Sequence, residues 1–194
     1  MEKTKIKAHS AVLIANVIFG LGVPVTKLLL DDWVSPMAYM ASRFIGATII
    51  FWLVSLFLPR EHVYPKDLLV IMAGGLLGFV ISLTLSAWAL NYTTPVYFSF
   101  IASLTPVATM ALAALFIGEK LSGRGVFGVI IGIVGTMLMV LMGWQGGSGS
   151  NDLLGIVLAL LSMLTWAGYL IITRSVSTKY SAVTQLKWIF LVAT

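Results

Sequence analysis

The sequence predicts an all-α membrane protein, a polytopic bundle of apolar helices that crosses the bilayer at least six times. Hydrophobic residues make up 59% of the 194 residues and charged residues only 10%, whereas a soluble domain carries about 25% charged residues. The mean hydropathy is +1.02. A chain of this size cannot bury so much apolar surface in one core, so the surrounding solvent must be lipid.

Each predicted helix corresponds to one apolar run, and six runs are long enough to span about 30 Å of hydrocarbon at about 1.5 Å per residue. A seventh run begins near Ser181 and stops at Thr194. A helix that ended half-way across would leave backbone groups unsatisfied in lipid, so we expect this sequence to be the N-terminal part of a longer protein. The six full runs are 11–30, 36–58, 68–90, 95–117, 125–143 and 153–172.

Basic residues alternate between the two sides of the predicted bundle. They precede the first run and lie in every second connection, while the other connections hold almost none apart from Lys27. Because positively charged loops stay in the cytoplasm, this predicts a cytoplasmic N-terminus in a plasma or inner membrane, and the net charge of +5 gives no indication of nucleic-acid binding. The residues concerned are Lys3, Lys5, Lys7, Arg60, Lys66, Lys120, Arg124, Arg174 and Lys179.

A weak internal repeat relates the first run to the sixth. Phe19-Gly20 and Thr26-Lys27 in the first run correspond to Trp166-Ala167 and Thr173-Arg174 in the sixth, at the same offset. Five helices separate the two starts, so the second copy would begin on the other side of the membrane, as in the inverted repeats of many secondary transporters. We therefore expect a first five-helix repeat over 1–145, a Gly/Ser-rich linker over 146–152 and the start of a second repeat over 153–194.

The motifs from the third run to the fifth resemble one transporter family. They are Ala89-Leu90-Asn91-Tyr92-Thr93, then Leu104-Thr105-Pro106, then Gly118-Glu119, followed by a glycine-rich run. Their order resembles the EamA family of the drug/metabolite transporter superfamily. The resemblance implies a ten-helix transporter of two inverted five-helix repeats. Its implied function is secondary transport by alternating access, namely export of small metabolites such as amino acids, related zwitterionic or anionic solutes, or drugs.

Polar residues and prolines inside the runs are the candidates for a transport path, because polar groups in lipid are costly. Pro24 leaves the Gly20 carbonyl without its usual partner, and Pro106 does the same for Ala102. The alternatives are proline kinks packed on neighbouring helices and hydroxyls bonded within the bundle. The path candidates are Asn16, Gly20, Pro24, Arg43, Ser99, Ser103, Pro106, Thr165, Trp166, Tyr169 and Lys187.

Arg43 and Lys187 are the two cations within predicted helices 2 and 7. The inverted repeat would set them at opposite ends of one pathway, where they could attract a carboxylate or another anionic group. The alternative is that each side chain reaches the nearby interface or braces the bundle through a pairing. Arg43 is the stronger of the two candidates for binding an anionic group.

Two glycine stripes and one acidic residue have structural interpretations. Small residues at spacings of three and four allow helices to approach closely, within the chain or in a homodimer. Glu119 falls at a helix C-terminus, where an acid is unfavourable unless a cation pairs with it. The stripes are Gly74 and Gly78 in the third run and Gly125, Gly128, Gly132 and Gly135 in the fifth.

Several kinds of chemistry have no residues to support them. The chain has no cysteine, which excludes disulfides and thiolate chemistry. It also lacks a nucleophile–base pair, a His-rich metal motif and a phosphate-binding loop, so we expect no catalysis, cofactor or metal. The expected partners are a small-molecule substrate and the lipid bilayer. Two alternatives stay open: a non-transporting membrane assembly partner, and a membrane enzyme whose site lies in the missing half.

Overall fold

The computed structural model describes residues 2–118, 123–143 and 149–194, and these residues form helices and connections without a strand. The predicted all-α membrane bundle is confirmed. Five of the described helices are long and apolar enough to cross a bilayer. The helices are α1 Glu2–Asp32, α2 Pro36–Leu56, α3 Pro65–Tyr92, α4 Pro95–Ile117, α5 Gly123–Gly143, α6 Asp152–Ile172, the short α7 Arg174–Ser177 and α8 Ala182–Ala193.

Prolines and short polar side chains specify where the helices begin. Proline occupies the first position of α2, α3 and α4, where its missing amide costs nothing. The side chains of Ser35, Thr94, Asn151 and Ser181 cap the starts of α2, α4, α6 and α8 by accepting backbone N–H bonds. These caps satisfy amides that a helix cannot pair internally.

Two of the long helices are irregular in the middle. The segment Leu76–Ser82 of α3 is π-helical, and α4 is broken at Leu104 into the segments Pro95–Ser103 and Thr105–Ile117. Pro106 explains the break, because a proline cannot donate to the preceding turn. Irregular helix segments of this kind are often found at functional sites.

Helices α3 and α6 form the closest pair of the bundle. A Cβ added at Gly78 would overlap the ring of Tyr169, one at Gly74 would overlap Thr173, and one at Gly155 would overlap Thr93. Side chains of one helix thus fill spaces that glycines leave open on the other. This allows the backbones to approach more closely than any larger residue would permit.

Polar contacts define the two ends of the bundle. At the amino-terminal end, where α1 and α3 begin, Glu61 accepts a hydrogen bond from the Ser181 amide at 3.0 Å. At the opposite end, the Thr93 hydroxyl donates to Asp152 at 2.6 Å and Lys27 donates to the Asn91 carbonyl at 3.4 Å. Because successive long helices run in alternating directions, these connections meet at the two faces of the bundle.

Candidate transport cavity

A cavity of about 450 Å³ lies between α1, α2, α3, α4 and α6. Its lining residues come from the first turns of α2 and α4 and from the last turns of α3, which places it toward the opposite end of the bundle. The lining from these helices includes Tyr39, Met40 and Arg43 of α2, Ser86 and Leu90 of α3, Phe98, Ala102 and Thr105 of α4, Ser162 and Trp166 of α6, and Phe19 and Thr26 of α1.

Arg43 is the charged side chain that lines this cavity. No acidic side chain lines it with Arg43, and Arg43 has no ion-pair partner among the described residues. The Arg43 residue is exposed within the described chain and belongs to an apolar helix. A cation in a membrane-spanning helix is costly unless something compensates its charge. The cavity is therefore electrostatically suited to an anionic group.

Hydroxyl groups supply the rest of the polar lining. Thr26 of α1 and Tyr39 of α2 share a hydrogen bond of 2.8 Å at the cavity wall. This bond is a direct side-chain link between the first two helices. The remaining cavity walls are mostly apolar, with Phe19, Phe98 and Trp166 as the aromatic residues.

Three serines join α3 to α6 at the cavity. Ser82 donates to the Ser162 carbonyl at 2.8 Å and Ser162 donates to the Ser82 carbonyl at 2.9 Å. The Ser86 and Ser162 hydroxyl oxygens lie 2.6 Å apart. Either hydroxyl can be the donor in this contact, and Ser86 makes no other hydrogen bond among the described residues. Its oxygen keeps acceptor capacity for a group inside the cavity.

The break in α4 brings a backbone irregularity to the cavity wall. Ala102 and Thr105 on either side of Leu104 both line the cavity. The Ala102 carbonyl, which Pro106 deprives of its usual partner, accepts a bond of 2.6 Å from the Thr105 hydroxyl. The sequence therefore supplies its own partner for this carbonyl one residue before the proline.

Comparison with known proteins decides the family. The model of the EamA-like transporter family matches residues 6–141 of the chain. The chain belongs to this family. It is 29% identical over 180 residues to a WAT1-related protein of Arabidopsis thaliana, covering 81% of this chain and 46% of that protein.

Bacterial transporters give similar matches to this EamA-family chain. It is 27% identical over 165 residues to the uncharacterized transporter YvbV of Bacillus subtilis, covering 83% of this chain and 52% of YvbV. It is 24% identical over 188 residues to YetK of the same organism, covering 94% and 56%. The chain thus spans about half the length of the curated relatives it matches. No solved structure matches it significantly.

Membership of the EamA family confirms the resemblance found in the sequence, within the drug/metabolite transporter superfamily. The family is one of membrane transporters, and the chain is a multi-pass membrane protein of the lipid bilayer. Within the described residues, no cluster of three or more metal-ligating side chains is present.

Of the eleven path candidates in the EamA-family sequence, Arg43 and Trp166 line the cavity. Tyr169 does not, because its ring packs against Gly78 of α3. Lys187 lies away from the cavity, with its ammonium 5.6 Å from the ring centroid of Trp52 and 5.8 Å from that of Trp188. The two candidate cations therefore have different surroundings: one is unpaired and the other is held over aromatic rings.

The other path candidates satisfy their polar groups locally or lie on exposed helix faces. Asn16 donates to the Val12 carbonyl at 2.8 Å, Ser103 to the Phe100 carbonyl at 2.6 Å and Thr165 to the Leu161 carbonyl at 3.0 Å. Bonds of this kind leave little capacity for a solute. Gly20, Pro24, Ser99 and Pro106 are exposed and do not line the cavity.

The remaining candidates are the fifth-run glycines and Glu119. A Cβ at Gly132 would lie 3.1 Å from Leu104 of α4, whereas Gly128 and Gly135 have nothing within 4 Å. Gly125 makes a contact within the described chain. Glu119 lies outside the described residues.

Tyr39 and Ser86 also line the cavity, and neither is among the path candidates predicted from the sequence. Tyr39 follows Pro36 by three residues and resembles an interface tyrosine. One sequence pattern could have indicated Ser86: it lies four residues after Ser82, so the two serines share a helix face. That signal was weak because serines in membrane helices often bond only to their own backbone.

Proposed function

We propose that the cavity is the solute site of a secondary transporter that exports small metabolites by alternating access. The single observation that carries this proposal is the unpaired Arg43 in the wall of a solute-sized cavity. A volume of about 450 Å³ lies within the range of about 300–1,000 Å³ typical of small-molecule sites.

The lining favours solutes that carry a carboxylate or another anionic group, including zwitterions. An anionic group would compensate the charge of Arg43, and a charge-assisted hydrogen bond to guanidinium is stronger than a neutral one. Trp166, Phe19 and Phe98 offer apolar contact for the body of such a solute. The acceptor capacity of Ser86 would suit the ammonium of a zwitterion.

The proposal includes a topology and an organisation for the chain. The N-terminus lies in the cytoplasm of a plasma or inner membrane, and residues 1–145 form one repeat that 146–152 joins to the start of an inverted copy. The positive loops support this orientation. No catalysis and no nucleic acid are involved.

Any homodimer would use α5 rather than α3. Gly74 and Gly78 already face Thr173 and Tyr169 of the same chain, which leaves no room for a second molecule. Gly128 and Gly135 are open within the described residues and belong to an exposed apolar helix.

Solute efflux from proteoliposomes tests the function. The purified chain is reconstituted in liposomes loaded with radiolabelled anionic, zwitterionic or cationic small solutes, and efflux is followed against empty liposomes. We expect efflux of the anionic or zwitterionic solutes. Arg43→Gln should weaken their apparent affinity by about tenfold or more, since a hydrogen bond to a charged group contributes roughly 1.5–3 kcal/mol.

Arg60→Gln is the matched control, because Arg60 lies in a connection and does not line the cavity. It should leave efflux unchanged, and Arg43→Lys should restore part of the affinity. Absence of efflux for all three solute classes would overturn the transporter proposal. Efflux that is indifferent to Arg43→Gln would overturn the role of Arg43 alone.

A further inference from the structure

An aromatic cluster adjoins the cavity on the side of the amino-terminal end. The cluster consists of Phe44 and Phe51 of α2, Phe79 of α3 and Phe190 of α8. The ring centroid of Phe190 lies 5.1 Å from that of Phe79, 5.4 Å from Phe51 and 6.5 Å from Phe44. Phe190 of α8 therefore contacts both α2 and α3.

The aromatic cluster is continuous with the cavity wall. The Phe79 ring lies 5.5 Å from that of Trp166, which lines the cavity. Met40 also lines the cavity and is buried against Phe44 and Phe190. A solute leaving the cavity toward the amino-terminal end would meet these rings first.

Beyond the aromatic cluster, a second set of contacts joins the α2–α3 connection and the first turn of α3 to the segment that leads into α8. We call this set the polar clasp; it consists of Glu61, Asp67, Lys179, Tyr180 and Ser181. Glu61 accepts from the Ser181 amide at 3.0 Å and from its hydroxyl at 3.1 Å. Asp67 accepts from the Tyr180 hydroxyl at 2.8 Å and pairs with Lys179 at 3.3 Å.

We propose that the aromatic cluster and the polar clasp are two layers of one gate, and that α8 must move away from α2 and α3 to open the cavity at this end. The inference rests on the proposed transport function. It identifies Phe79 and Phe190 as the residues that set whether the path is closed.

The strengths of the contacts fit a closure that breaks and re-forms. Aromatic pairs contribute about 0.5–1.5 kcal/mol each, and exposed ion pairs such as Lys179–Asp67 contribute about 0–1 kcal/mol. The α3–α6 contact is different, because Tyr169 and Thr173 occupy the space above Gly78 and Gly74. The proposed gate therefore rests on contacts that are individually weak.

The position of Phe79 gives a second reason. Phe79 lies inside the π-helical segment Leu76–Ser82. π-helical segments within α-helices are frequently found at functional sites. Gly75 lies just before this segment and faces the backbone of Ile189 in α8, where an added Cβ would be 3.1 Å from the Ile189 Cα. Because Gly75 has no side chain, α8 packs closely against α3 directly beside the π-helical segment.

The absence of cysteine in the chain allows a direct accessibility test. The reporter is Ala102→Cys in the cavity wall, reconstituted in vesicles and exposed to a membrane-impermeant maleimide on one side at a time. His62→Cys in the α2–α3 connection identifies which vesicle face is the amino-terminal end. With the gate intact, the reporter should react from the opposite end and at least tenfold more slowly from the amino-terminal end.

Removing the aromatic layer should abolish this asymmetry. Phe79→Ala or Phe190→Ala should raise labelling from the amino-terminal end by about tenfold, and Glu61→Gln with Asp67→Asn should raise it by a smaller factor. Phe127→Ala is the matched control, since Phe127 is 65% exposed on α5, and it should change nothing. If an alanine variant fails to fold, Phe190→Leu keeps an apolar side chain and should give an intermediate rate.

The outcomes separate this inference from the transport proposal. Equal labelling from both ends in the unaltered chain, or unchanged labelling in folded Phe79→Ala, Phe190→Ala and Phe190→Leu variants, would overturn the gate even if solute efflux is observed. Labelling of the reporter does not require transport. Asymmetric labelling that these substitutions relieve would support the gate, and the efflux assay decides separately whether a solute passes it.

Discussion

Helices α3 and α1 both carry glycines in apolar surroundings, but only those of α3 meet a partner within the described chain. Gly74 and Gly78 lie against Thr173 and Tyr169 of α6, whereas Gly20 and Gly22 of α1 have no atom within 4 Å of an added Cβ. The composition of the two helices is similar. The difference is whether another helix places side chains where the glycines are.

The comparison shows that a small-residue pattern permits close packing without requiring it. A glycine contributes to an interface only when the facing helix fills the space, as Tyr169 does above Gly78. Elsewhere a glycine in a helix is a local cost of about 1 kcal/mol relative to alanine. The same substitution should therefore have opposite effects on the two helices.

The largest expected effect is that of Gly78→Ala. The added methyl would overlap Cβ and Cγ of Tyr169, and Tyr169 cannot easily move because its ring is in contact with Phe79 and Trp166. Overpacking of this kind costs about 1–3 kcal/mol. We expect the thermal unfolding midpoint of the detergent-solubilised chain to fall by roughly 2–4 °C per kcal/mol.

Gly20→Ala is the matched substitution on α1 and should leave the midpoint unchanged or raise it slightly. Space is open at Gly20, and alanine favours the helix by about 1 kcal/mol. Thermal unfolding under the same conditions measures both variants. Equal destabilisation by the two substitutions would contradict the interpretation that close packing at Gly78 makes the α3–α6 contact sensitive to an added methyl group.

Ser162→Ala should have a smaller effect that separates interhelical from local hydrogen bonds. It removes the bonds of the Ser162 hydroxyl to Ser82 and Ser86. Interhelical bonds in membranes average about 0.6 kcal/mol, with a maximum of about 1.7. Thr165→Ala is the control, because the Thr165 hydroxyl bonds only within α6, and thermal unfolding should distinguish the two variants.

The sequence predicted the helices well, because their ends carry explicit signals. The predicted run 95–117 coincides with α4, and 36–58 differs from α2 by two residues at its end. A proline and a short polar cap begin each of these helices. Such signals depend on the local chain alone, so a sequence is enough to read them.

Which face of each helix meets the cavity could not be predicted in the same way. Lipid and protein interior are both apolar, so membrane helices lack the polar face that orients a soluble helix. Trp166 and Tyr169 are three residues apart and are both predicted path candidates, yet Trp166 lines the cavity and Tyr169 packs on Gly78. Arg43 was the exception, because a charged residue inside an apolar run predicts a functional position without knowledge of the neighbouring helices.

The smallest expected effect concerns the pH dependence of the polar clasp. The pKa of the Glu61 carboxyl is lowered from its ordinary value, chiefly by the hydrogen bond with the Thr184 side chain and then by the Ser181 amide. A group with a lowered folded pKa stabilises the fold above its ordinary pKa, near 4.3. That stability is lost as the pH falls through the lowered value.

Glu61→Gln should therefore reduce the unfolding midpoint slightly at pH 7, and this difference should shrink as the pH falls through the lowered pKa of the Glu61 carboxyl. Measuring both chains between pH 3 and 7 gives the difference. Asp32→Asn is the control, since Asp32 is an exposed acid at the opposite end of the bundle, and its substitution should leave the unfolding midpoint unchanged. A Glu61→Gln difference that does not change with pH would show that the side chain acts by packing rather than by its charge. The polar clasp would then resemble the closely packed α3–α6 contact, and its role in a gate would lose support.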